Sequence, residues 1–126
     1  MKICVPAVSD NLEAQMDPRF GRCPYFLIVD SETQKIEAFP NVSVSAMSGA
    51  GIQAAQIIAN KKVDVLITGN VGLNALQALS TAGMKVVTCD GGTVKAVLER
   101  YQRGELKEVN TPTVQGHFGM GRGRRT

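Results

Sequence analysis

The chain has no C-x-x-C pair, a single histidine, no apolar run of about 18 residues and no excess of basic residues outside its last segment. Each absence removes a class of function. Without a long apolar run, nothing in the sequence is expected to span a membrane. Cys4, Cys23 and Cys89 are scattered and odd in number, so their spacing excludes a zinc finger or a thioredoxin-like site. The one histidine, His117, lies near the C-terminus, which leaves a Ser/His/Asp triad without support. Residues 48–62 contain no Asp or Glu, so the clustered carboxylates of a two-metal nuclease are missing as well. Lys2 followed by the short run 3–8, with no small-residue cleavage site, does not fit a secretory signal. Reduced thiols in a cytoplasm are the expectation that follows.

Charge is informative when it is divided. The 126 residues carry 14 Lys and Arg against 11 Asp and Glu, a net charge of +3. Arg122, Arg124 and Arg125 supply that excess, and residues 1–110 are neutral overall. A basic nucleic-acid-binding face is therefore not expected. At 44% hydrophobic and 20% charged residues, the chain has the composition of one globular domain. Residues 111–126 hold four Gly and three Arg with almost no apolar period, as a flexible Gly/Arg-rich tail would. The domain is accordingly expected over 1–110. In the tail, His117 and Met120 could capture a metal, or the arginines could contact phosphates.

Periodicity orders the rest. Short apolar runs predict strands at 2–8, 25–30, 35–39, 63–68 and 85–88. Pro6 is awkward in the first of these, because it cannot donate to a ladder, and belongs near its end. Helical spacing appears at 48–62, with Ser48 as N-cap, at 71–82, closed by Gly83, and at 94–101, where Val94, Val97, Leu98 and Tyr101 form one stripe. Residues 106–109 are too short to assign. The order β-β-β-α-β-α-β-α predicts an α/β fold with a meander followed by two right-handed parallel crossovers. A mixed five-stranded sheet in the order 3-2-1-4-5 with three helices, the ribonuclease-H-like arrangement, satisfies both.

That topology gathers the loops 9–23, 41–51, 68–72 and 89–93 at one sheet edge, outside the carboxyl ends of the parallel strands, where ligands of open α/β sheets bind. Three helix N-termini are expected there, and Arg19 and Arg22 lie in the first loop. An anionic ligand suits such an edge. Cys23 and Cys89 also fall on it, with Met16 and Met47 in its loops, and sulfur suits soft metals. Cys4, inside a buried strand, is expected only to pack. Gly69-Asn70-Val71-Gly72 is not a P-loop, since no Lys-Ser/Thr follows, and Gly49-Ala50-Gly51 lacks the third glycine of a dinucleotide fingerprint.

Residues 16–30 (MDPRFGRCPYFLIVD) and 63–79 (VDVLITGNVGLNALQAL), with Gly83-Met84-Lys85-Val86, resemble the dinitrogenase iron–molybdenum cofactor biosynthesis family over about residues 1–105. The resemblance implies a ribonuclease-H-like fold and non-catalytic carriage of an anionic metal–sulfur cluster of iron–molybdenum or iron–sulfur type. It places Arg19, Phe20, Gly21 and Arg22 in the cluster-facing loop, and Gly69, Asn70 and Gly72 in the loop after the fourth strand. Metal-cluster assembly proteins are the implied partners. Gly91 and Gly92 add a further backbone turn at the same edge, and Cys23, with Cys89 or a loop Met, is the candidate metal ligand. The alternative is a binding module for a small phosphorylated or nucleotide ligand at that edge, using the arginines and glycine turns without sulfur. An enzyme is not expected, because neither an acid–base pair nor a nucleophile–base pair can be assembled.

Overall fold

The computed structural model describes residues 1–42 and 49–109. Within them the strands are β1 (Lys2–Ala7), β2 (Tyr25–Asp30), β3 (Ile36–Pro40), β4 (Val65–Thr68), β5 (Lys85–Thr88) and β6 (Lys107–Glu108). The helices are α1 (Ala50–Asn60), α2 (Leu73–Thr81) and α3 (Val94–Gln102), with a 3-10 turn at Phe20–Arg22. The expected N-cap Ser48, Met47 and the tail 111–126 with His117 and Met120 lie outside the described residues.

The sheet runs β3-β2-β1-β4-β5-β6. β1 pairs antiparallel with β2 and parallel with β4, β4 pairs parallel with β5, and β2 pairs antiparallel with β3. The five expected strands therefore keep the expected order. The count of five is corrected to six, because β6 pairs antiparallel with β5 at the far edge. Lys107 and Glu108 are both exposed, so this two-residue strand carries no apolar alternation by which a sequence reading could find it.

Alternation along the strands sends side chains to two cores. Cys4, Phe26, Ile28, Leu66 and Val86 pack with α1 and α2, while Ile3, Val5, Leu27, Ile67 and Val87 pack with α3. Pro6 sits inside β1 without breaking it. Its carbonyl accepts from Asp17 N at 2.9 Å, on the side where the ladder to β4 has already stopped at Leu66. A missing N–H on that side forfeits no strand pairing.

Helix ends follow local chemistry. α2 closes as expected at Gly83, whose φ of +79° suits a glycine; Gly83 N donates to Ser80 O, and Met84 N to Leu79 O. α3 begins at Thr93, whose hydroxyl accepts from Ala96 N at 3.1 Å. α1 begins at Ala50 after Gly49 at φ +72°, without a side-chain cap among the described residues.

Candidate functional site

The first connection, between β1 and β2, is tied down along its length. Met16 bridges Ala7 and donates its N–H to Gly92 O at 2.9 Å. Phe20 is buried in the α1/α2 core, its ring centroid 5.9 Å from that of Phe26. Burying this ring folds the 3-10 turn against α1. Gly21 then lies so close that a Cβ there would stand 2.7 Å from Gly51 N and 3.0 Å from Gly51 Cα. Only glycine fits such an approach of two backbones. Gly69 is forced in the same way, since its Cβ would meet Pro18 Cβ at 2.6 Å. Asn70 N donates to Pro18 O at 2.9 Å, and Arg19 and Asn70 form a parallel bridge. The first connection thus lies across the β4–α2 loop.

These contacts enclose a cavity of about 360 Å³ whose lining includes Arg19, Phe20, Gly21, Arg22, Asn70 and Gly72, with Ala50 and Gly51 from the start of α1. Among the described residues no side chain caps α1 or α2, which leaves the first-turn N–H groups of both helices as donors at this space. The third helix start differs. Beyond the Thr93 cap, Val94 N donates to Ala14 O at 2.9 Å and Lys95 N to Leu12 O at 3.0 Å. Of the three helix N-termini expected at this edge, α3 has its donors already committed. Gly72 is the converse of Gly21: its φ is −83° and a Cβ there would meet none of the described residues within 4 Å. The fold does not require glycine at 72, and the open space beside it belongs to the cavity's rim.

Two buried polar residues that the sequence reading passed over hold the loop. Asp17, 1% exposed, accepts at Oδ1 from Arg19 N (2.9 Å) and Nε (3.0 Å), and at Oδ2 from Nη2 (2.8 Å). The bond from the Arg19 side chain holds the Asp17 carboxyl below its ordinary value, against the opposing effect of burial. Asn41, 3% exposed, donates from Nδ2 to Cys23 O at 2.8 Å and Gly21 O at 3.2 Å. The sequence did hold one signal: Asp17-Pro18-Arg19 opens an Asx turn, in which the carboxylate accepts from the N–H two residues on.

The thiols are not brought together. Cys23 packs with α1 and α2, and Cys89 packs with α3 on the opposite face of the sheet. Cys23 is fully buried behind the loop, and its Sγ–H donates to Phe20 O at 3.2 Å. Burial, with the negative charge of Asp17 nearby, pushes its thiol up to about 12. Burial raises Cys4 well above its ordinary value too. Cys89 lines a second cavity of about 340 Å³ with Gly69, Asp90 and Arg100. There Arg100 Nη1 donates to Cys89 Sγ at 3.3 Å and Asp90 Oδ1 at 2.9 Å. Gly91 and Gly92, at φ +137° and +114°, shape the β5–α3 turn and line neither cavity. Among the described residues there is no group of three or more His, Cys, Asp or Glu able to hold a metal, and no helix long and apolar enough to cross a membrane.

Comparison with known proteins bears on this arrangement. The chain is 39% identical to the orange protein of Desulfovibrio gigas, solved in its apo form, with a TM-score of 0.87 over 90% of this chain and 96% of that one. It is 35% identical to a putative NifB protein from Thermotoga, with a TM-score of 0.81 over 91% and 98% of the two chains. An uncharacterized protein of Methanocaldococcus jannaschii is 30% identical over 111 residues, 86% of this chain and 91% of that protein. The sequence profile described as "Dinitrogenase iron-molybdenum cofactor" matches residues 1–104, a span that takes in the three helices of the described residues and the whole described lining of the first cavity. The chain belongs to the dinitrogenase iron-molybdenum cofactor family.

Proposed function

We propose that the protein binds and carries an anionic metal–sulfur cluster, or a precursor of one, in the cavity between the 3-10 turn and the starts of α1 and α2, and performs no chemistry on it. One observation carries the reading. Two helix starts that no side chain of the described residues caps, and an arginine-bearing loop, converge on one glycine-rimmed cavity. Uncapped helix starts favour anions through free N–H groups and the helix dipole. Family membership and the apo form of the orange protein support the same reading. Among the described residues the side chains of the lining offer donors and no general base. Cargo there is held by hydrogen bonds and charge; the buried thiol of Cys23 stands behind the loop, and Cys89 faces the other cavity. A carrier of this kind exchanges its cargo with metal-cluster assembly proteins.

The test is an anaerobic titration with tetrathiomolybdate, a soluble metal–sulfur anion, followed by absorbance. We expect saturable binding that weakens in Arg19→Ala and Arg22→Ala. Those losses should shrink as salt rises, since exposed charges are screened over about 8 Å at physiological ionic strength. Parent-like binding in both arginine variants would overturn the site. N–H and guanidinium donors also accept phosphate oxygen, so inorganic phosphate and ATP are run as competitors. Tighter binding of ATP than of tetrathiomolybdate would favour a phosphorylated or nucleotide ligand instead.

A further inference from the structure

Arg19 reaches into solvent while its partner does not: its side chain is 65% exposed, and that of Asp17 is 1% exposed. Three N–H groups of one residue converge on the two oxygens of this carboxylate, at 2.8–3.0 Å. Asp17 is itself fixed to the centre of the sheet, because its N–H donates to Pro6 O in β1 at 2.9 Å. The guanidinium plane is therefore referenced to the sheet through a short and nearly rigid path. A flexible surface arginine has no such reference.

Stability does not explain this arrangement. An ion pair whose arginine is 65% exposed contributes little net stabilisation. The pair does two other things. It orients a planar donor that otherwise samples many rotamers, and it cancels the positive charge that the same side chain would offer to any passing anion.

We propose that Asp17 is the positioning residue of the anion site, presenting Arg19 to the cavity as an oriented hydrogen-bond donor in place of a loose charge. The inference rests on the anion-carrier reading of that cavity. It predicts selection by shape: a bound anion must match the fixed edge of the guanidinium at short range, and long-range attraction of small anions is damped.

The experiment uses the full chain and tetrathiomolybdate, titrated anaerobically between about 50 and 500 mM salt, with thermal unfolding measured for each variant. In Asp17→Asn, binding at physiological salt should weaken about tenfold. Its salt dependence should steepen, because Arg19 is then uncompensated. Asp17→Glu keeps the charge but displaces the guanidinium, so it should weaken binding with the parent's salt dependence; it also keeps the test decisive if Asp17→Asn folds poorly. Arg19→Lys should not restore binding, since a lysine cannot span both carboxylate oxygens in one plane. Asp17→Asn added to Arg19→Ala should cost no further affinity, because the carboxylate acts only through the arginine.

A merely structural Asp17 would lower the unfolding midpoint and leave the salt dependence unchanged in every variant. That result, or parent-like binding in Asp17→Asn, overturns the positioning role while leaving the carrier reading intact. Failure of the parent protein to bind tetrathiomolybdate at any salt overturns both.

Discussion

Gly21 and Gly72 both line the proposed site, yet they should respond in opposite ways to one added methyl group. At Gly21 the new Cβ would stand 2.7 Å from Gly51 N and 3.0 Å from Ala50 C. Those are backbone atoms of the first turn of α1, and they cannot rotate away as a side-chain end could. Either the 3-10 turn lifts or α1 shifts, and overpacking of this kind costs about 1–3 kcal/mol. Reduced freedom of the unfolded chain offsets roughly 0.4–1 kcal/mol of that. The balance, about 1–2 kcal/mol, corresponds to a fall of roughly 5–15 °C in Tm for a domain near 100 residues. At Gly72 the Cβ meets no atom of the described residues within 4 Å and the backbone is extended at φ −83°, ψ 172°. Only the weaker N-cap preference of alanine opposes the change, about 0.5–1 kcal/mol, and the unfolded-chain effect nearly cancels it. Gly72→Ala should therefore melt within about 3 °C of the parent. It should nevertheless bind tetrathiomolybdate at least about tenfold more weakly, which is about 1.4 kcal/mol, because the methyl occupies the approach to the α2 N–H groups. Circular-dichroism melting and anaerobic absorbance titration measure the two quantities. Equal melting of both variants would refute the packing argument, and parent-like binding by Gly72→Ala would refute the approach of cargo to α2.

Two further outcomes follow from the buried groups behind the loop. The Cys23 thiol is raised from 9.0 to about 12 in the folded chain, so its stabilising share is complete below the unfolded value and is lost as pH rises toward 12, at up to about 1.4 kcal/mol per pH unit. Urea unfolding at pH 7, 9 and 10.5 should show the parent losing stability above pH 9 faster than Cys23→Ala does; parallel losses would exclude this origin. Asn41→Ala strips donors from the carbonyls of Gly21 and Cys23 and should cost about 1–3 kcal/mol, lowering Tm and weakening cargo binding together. An unchanged Tm would show that water replaces the amide without penalty.

Much of the fold was legible because the pattern that builds it is repeated along each element. Val94, Val97 and Leu98 recur at helical spacing and are buried on α3. The apolar runs of β1, β2, β4 and β5 are buried on both faces or nearly so. β6 was not legible, since two exposed residues carry no period. At the site, the sequence placed Arg19, Phe20, Gly21, Arg22, Asn70 and Gly72 at one edge, and they share one cavity. It did not reveal which face of the sheet Cys23 meets. Cys89 continues the alternation of β5, two residues beyond Val87, and that parity pointed toward α3. Cys23 precedes β2 after an irregular turn, where parity is lost. Asp17 escaped notice for a different reason: an acid beside a proline in a polar stretch reads as solvated. Only the fold shows that β1 and the arginine together bury it.

The separation of thiols from the cavity is consistent with carriage. A metal–thiolate bond holds a cluster firmly and must be broken or exchanged before the cluster can leave. Backbone N–H groups and guanidinium donors hold an anion by many weak contacts, each of which opens independently as a partner approaches. Cys23 would be a poor ligand in any case, because its thiol is buried and carries its proton at neutral pH. Its packing beneath Phe20 serves the loop instead: it accepts the amide of Asn41 at 3.7 Å and donates to Phe20 O, stiffening the turn that carries Arg22. Affinity in such a site comes from preorganised donors, so the free-energy cost of ordering them is met during folding and not at each uptake. Residues that order the loop without touching the cargo, Asp17, Asn41 and Cys23, should then set how tightly cargo is held, while the N–H groups of α1 and α2, with the guanidinium edge that Asp17 fixes, set what kind of ion is accepted.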